Sequence, residues 1–285
     1  MTCLRSAAAA FTVLGWSTIC AAPVGAQAPN PINPQIEIAY VQPTNPSYVA
    51  IYERLKTRKV LEELQQFLAP LKLPRQLAVK VDQCGSIGIR YKPQEPVTIC
   101  YEYVEQIRHL APKSTVKLVQ GSVTTESAIF GPFVQAVLHG ISIAAFDILE
   151  IPIWGRQDDA ADRVAAFIML QFGPDVAWNS IVGTAWFLSG STSTPPDYAD
   201  VRGLVAQRYY TTLCIAFGSD QRQRFARFIG SGAAGNLPES RANGCREEYD
   251  ALRQGFEATI MPHIDQALLK HVRSVNWLKL MTEGN

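Results

Sequence analysis

Apolar positions along this chain follow two periods, and the change between them separates a mixed front part from a helical remainder. Ile36, Ile38 and Tyr40 alternate with polar or small neighbours, as in a half-buried strand. Between about residues 47 and 68 the spacing becomes helical, with Tyr48, Ile51, Leu55, Val60, Leu61, Leu64 and Phe67 recurring at helical intervals and Ser47 as the cap. Three short runs then read as strands, over 77–81, 87–91 and 97–100, with Pro93 and Pro96 in the turn between the last two. A helix follows over 101–110. From Phe133 onward the pattern predicts helices over 132–149, 156–172, 175–188, 201–217, 220–230 and 238–272, and the runs 189–196 and 230–235 read as connectors. The fold class this predicts is α+β and mostly α-helical, with a small β-sheet on its N-terminal side.

The first 28 residues stand apart from this pattern. Arg5, the apolar or small run 6–20 and the small-x-small stretch Ala26-Gln27-Ala28 predict a signal peptide over 1–28. A Pro- and Asn-rich segment occupies 29–46, and residues 47–285 are expected to form a single domain. No later segment reads as long and apolar enough to span a bilayer. Charge adds only exclusions. The 26 Lys and Arg lose Arg5 with the signal and so match the 25 Asp and Glu, which leaves no basic footprint for nucleic acid. Export, to the periplasm or beyond, decides how the cysteines are read. Cys3 and Cys20 leave with the signal, while Cys84, Cys100, Cys214 and Cys245 remain, an even set that predicts two disulfides in an oxidising compartment. Proximity favours Cys84–Cys100 and Cys214–Cys245, and none of the four lies in the C-x-x-C spacing that zinc would use.

Candidate chemistry concentrates between Val137 and Met169. Two predicted helices are joined there by Ile151-Pro152-Ile153-Trp154-Gly155. His139 and Ile143 lie one turn apart on the first helix, Asp158 and Asp162 one turn apart on the second, so antiparallel packing would bring His139 to the two aspartates. Asp158 and Asp159 also suit the first turn of a helix, where the macrodipole favours acids. Ser142 is no hydrolase nucleophile, being placed mid-helix rather than on a strand–helix elbow.

This segment resembles a family of exported bacterial zinc metallopeptidases of the gluzincin type. In that family the first helix carries H-E-x-x-H and the second opens with G-R-E-E-D-A-A-D, matched here by Gly155-Arg156-Gln157-Asp158-Asp159-Ala160-Ala161-Asp162. The resemblance extends to Cys84, Cys100-Tyr101-Glu102, Tyr198-Ala199-Asp200, Ala206-Gln207-Arg208-Tyr209-Tyr210 and the Cys214/Cys245 pair. It implies a zincin-like domain, with His139 as a metal ligand, Asp158 as the carboxylate ligand and Asp162 as the group orienting the histidine. The chain departs from the pattern at decisive places. Gly140 stands where the general base belongs, Ile143 where the second histidine belongs, and Val201-Arg202 where the family shows an acid and a histidine. The expectation is therefore a degenerate zinc site with no catalytic residue and no cofactor, zinc binding only if the site still works. Such a protein would act by binding a peptide or protein partner. The alternative is an active zinc peptidase with atypical ligands.

Overall fold

The computed structural model describes residues 32–118, 121–191, 195–229 and 237–278. The predicted signal peptide and the glycine-rich run 230–235 lie outside them. A four-stranded sheet forms from β1 (Ile36–Tyr40), β2 (Leu77–Asp82), β3 (Ile89–Arg90) and β4 (Val97–Cys100), in the order β1-β2-β4-β3. β1 pairs parallel to β2 from Ile36 opposite Leu77, β2 parallel to β4 from Val79 opposite Val97, and β3 antiparallel to β4. Burial alternates along β2, so Leu77, Val79 and Val81 point into the core with Val97 and Ile99 of β4. Helices α1 (Val49–Thr57) and α2 (Val60–Phe67) connect β1 to β2, and α3 (Tyr101–Leu110) leaves β4 directly. A second pair, β5 (Val116–Leu118) and β6 (Gly121–Val123), precedes the long helix α4 (Thr125–Ile148).

The helical remainder comprises α4, α5 (Gln157–Met169), α6 (Pro174–Gly190), α7 (Val205–Gly218), the short α8 (Arg222–Phe225) and α9 (Glu239–Ala242), α10 (Cys245–Thr259) and α11 (Gln266–Val272). The pattern thus predicts most helices, and the differences have local causes. The helix expected over 47–68 is cut by Lys59, which adopts φ +51°, and its entry is capped by Asn45 accepting the Ser47 N–H at 3.0 Å rather than by Ser47. The helix expected over 238–272 breaks at Asn243-Gly244 and again around Pro262, and α7 starts at Val205 because Gly203, at φ +75°, turns the chain before it. The strand expected over 87–91 shrinks to two residues, and the β5–β6 pair was not foreseen at all.

The largest difference is α4. It begins seven residues before the predicted start, because Thr124 and Ser127 form a reciprocal capping box, each hydroxyl accepting the other's backbone N–H at 3.0 Å. Pro132, which reads as a helix boundary, sits inside it. At this length α4 meets the size and hydropathy of a membrane span, contrary to the sequence reading, yet 89% of its most apolar window is buried within the fold. It is the core helix. α6 crosses it so closely that a Cβ on Gly183 would lie 1.7 Å from the Ser127 carbonyl oxygen. Two disulfides clamp this framework: Cys84–Cys100 at the end of β4 and Cys214–Cys245 between α7 and α10, with Cα separations of 5.4 and 5.0 Å. They indicate a non-cytoplasmic setting.

Candidate functional site

The turn between α4 and α5 sets the site's geometry. Glu150 takes a left-handed conformation at φ +52°, the Ile151 N–H reaches back to the Phe146 carbonyl and the Glu150 N–H to that of Asp147, the bonding of a Schellman cap. The chain then doubles back through Pro152 and Gly155, and α5 packs along α4.

That packing brings together the residues singled out from the sequence. His139 is only 5% exposed. Its Nδ1 lies 2.7 Å from Asp162 Oδ1 and its Nε2 3.3 Å from Asp158 Oδ1, so both ring nitrogens face carboxylates. Burial by itself disfavours the imidazolium, but the hydrogen bonds to Asp158 and Asp162 outweigh it, and the His139 pKa is raised above its ordinary value.

Asp162 is the hub. It is 6% exposed and takes hydrogen bonds from three other residues. Besides His139, Gln135 Nε2 donates to Oδ1 at 2.6 Å, and Arg208 donates from Nε to Oδ2 at 2.5 Å and from Nη2 to Oδ1 at 3.1 Å. Burial pushes the Asp162 pKa up, but the Arg208 charge and these hydrogen bonds hold it well below the carboxylate range. The same partnership holds the half-buried Arg208 guanidinium firmly charged. Tyr103 titrates against the same pair and is pushed up to about 12 by burial. Gln135 and Arg208 escaped the sequence reading as site residues. Gln135 had a visible signal, a lone amide one turn before His139 in an apolar helix; Arg208 comes from a helix 46 positions beyond Asp162, which no local spacing reveals.

The remaining predicted positions do not join this network. Ile143 is half-buried and packs with the core. Gly140 faces the sheet, where an added Cβ would meet Val97 Cγ1 at 2.4 Å and Ile89 Cγ2 at 3.2 Å, so the space a side chain would need is filled by β4 and β3. Asp159 pairs with Arg156 at 2.8 Å, and Arg202 with Asp200 at 3.3 Å. Zinc therefore fits these residues poorly. Of the predicted set, His139 Nε2 and Asp158 offer two donors and both oxygens of Asp162 are taken by Gln135, His139 and Arg208, whereas catalytic zinc needs three protein ligands.

Beside the network a cleft of about 380 Å³ opens, lined by Arg156, Asp159, Asp162, Arg163, Arg208 and Arg241 among others. The most exposed large apolar residues sit on segments that meet Arg156 of this lining. Trp154, 95% exposed, precedes Arg156 by two positions, and the loop bearing Tyr198 (82%) and Val201 (78%) returns against Arg156, whose guanidinium would lie 2.5 Å from a Cβ on Gly203.

Residues 40–259 match a family described as "putative metallopeptidase". The chain belongs to that family. No curated protein and no solved structure is significantly similar to the chain.

Proposed function

We propose that this member of the metallopeptidase family is exported, to the periplasm or beyond, and has exchanged hydrolysis for binding. The observation that carries this reading is the closed polar network. His139 spans Asp158 and Asp162 through both ring nitrogens, and Asp162 is saturated by Gln135 and Arg208. With carboxylates at both ring nitrogens and its pKa raised, His139 favours the imidazolium, a form with no lone pair for a metal. With Gly140 in place of a base, the chain has no group at that position to take a proton from water. The fold is retained, and the cleft beside the network is a polar groove whose arginines each already face a carboxylate of this chain, suited to an extended peptide or a protein segment that exchanges into those pairs, with the exposed Trp154 and Tyr198 as apolar anchors.

Elemental analysis of protein purified without chelators tests the first half. Zinc well below one equivalent, unchanged by His139→Ala, is the expected result. Stoichiometric zinc lost in that variant, together with chelator-sensitive peptide hydrolysis, would overturn the reading in favour of an active enzyme with atypical ligands. For the second half, Trp154→Ala with Tyr198→Ala is expected to lose a partner captured by cross-linking in cells while leaving the melting temperature unchanged.

A further inference from the structure

A second cavity, of about 310 Å³, has a lining that includes none of His139, Asp158, Asp162, Gln135 and Arg208. Ile141 and Ala145 face it from α4, Val164 and Phe167 from α5, Phe256 from α10 and Leu269 from α11. The wall contributed by α4, α5 and α11 is largely apolar, and its hydroxyl, Ser142 Oγ, is already committed to the Leu138 carbonyl at 2.7 Å. A cavity of this kind offers water almost no partner and takes apolar guests instead. Its size falls at the lower end of small-molecule sites.

The mouth is charged and asymmetric. Among the rim residues, Arg253 is paired with Glu257 at 3.1 Å and Asp220 with Arg246 at 3.0 Å. Arg273, also on the rim, has no carboxylate partner among the described residues. An apolar chamber with a cation at its opening that has no carboxylate partner among the described residues is complementary to an apolar chain ending in an anion. We infer that this cavity binds a single-chain fatty carboxylate, its acyl chain between α4, α5, α10 and α11 and its head at Arg273. The site is independent of the peptide cleft, so either reading stands without the other.

Displacement of the fluorescent fatty acid cis-parinarate from the purified chain tests it. Saturated carboxylates from octanoate to palmitate are expected to displace the probe, with affinity rising up to about fourfold per added methylene until the chamber is full. Arg273→Glu is expected to weaken laurate about tenfold, the weight of one charge-assisted contact at a partly open rim, and to leave 1-dodecanol unaffected. Ile168→Trp on α5 and Leu269→Trp on α11 fill the space from opposite walls. Either one, shown by its melting transition to be folded, is expected to abolish binding of both ligands. No displacement by laurate, equal affinity for laurate and dodecanol, or binding unaffected by two folded filling variants would each overturn the assignment. Binding that emerges only after deletion of residues 279–285 would overturn it as well, by making the chain's own end the occupant.

Discussion

At the scale of single residues, the site is decided by what surrounds two positions. Gly140 is required by packing. Its missing Cβ lets β4 approach α4, with Val97 Cγ1 where that Cβ would be. Gly140→Ala should therefore destabilise the fold by about 1–3 kcal/mol through overpacking, despite alanine's better helix propensity, and Val97→Ala in the same chain should recover part of the loss. Denaturant titration of the three variants checks this, and a single variant more stable than the parent would contradict it. Asp162 is the second such position. Arg208→Met would leave a buried carboxylate without its main countercharge, and a loss of about 3–5 kcal/mol is expected. The titrating groups give a pH signature with opposite limbs. Asp162 is depressed in the folded state, so its contribution is present above its unfolded value near ~3.9 and is lost as pH falls below it. His139 is raised, so its contribution is full below ~6.5 and is lost as pH rises through the folded value. Maximum stability is expected between about pH 4 and 6.5, and His139→Asn should flatten the alkaline limb of a melting-temperature profile measured from pH 3 to 9.

Among elements, the controlling relationship is α4 with its neighbours. α6 can cross α4 at such close range only because Gly183 and Gly131 present no side chains there; a Cβ on Gly131 would lie 2.4 Å from the Ser180 carbonyl oxygen. Gly183→Ala puts a methyl into rigid backbone rather than into a movable side chain, and loss of the cooperative melting transition is the expected outcome. The α7–α10 clamp makes a different prediction. Cys214 and Cys245 close a loop of 31 residues, and converting both to serine should cost about 3 kcal/mol, read as a lower denaturation midpoint. α7 also delivers Arg208 to Asp162, so the same substitution should loosen the site's network before the whole fold is lost.

For the whole molecule, the distribution of surfaces matters more than net charge, which is +1 over the entire chain. The exposed Trp154 and Tyr198 sit on the segments that meet Arg156 of the polar cleft, and the apolar chamber is a separate cavity between α4, α5, α10 and α11. A great deal of this arrangement was legible in the residues. Period-2 runs located the sheet, period-3.6 runs located most helices, and an even cysteine set with short spacings was enough to pair the disulfides. The one-turn spacings of His139, Asp158 and Asp162 placed them on facing helix stripes. What the residues could not reveal depended on neighbours distant in the chain. The start of α4 was hidden because Pro132 carries a local breaking signal, which burial on nearly every side overrides. Arg208 was hidden because its partner is 46 positions away. The role of Gly140 was hidden because a glycine inside a helix looks the same whether a side chain was lost or a strand needs the room. Local chemistry thus determined the elements and the candidate residues, since hydrogen-bonded periodicity is a property of consecutive positions. Only the tertiary structure decided that His139 is enclosed by carboxylates, that Asp162 is saturated, and that the space beside Gly140 is full, because packing is a property of surfaces brought together from different parts of the chain.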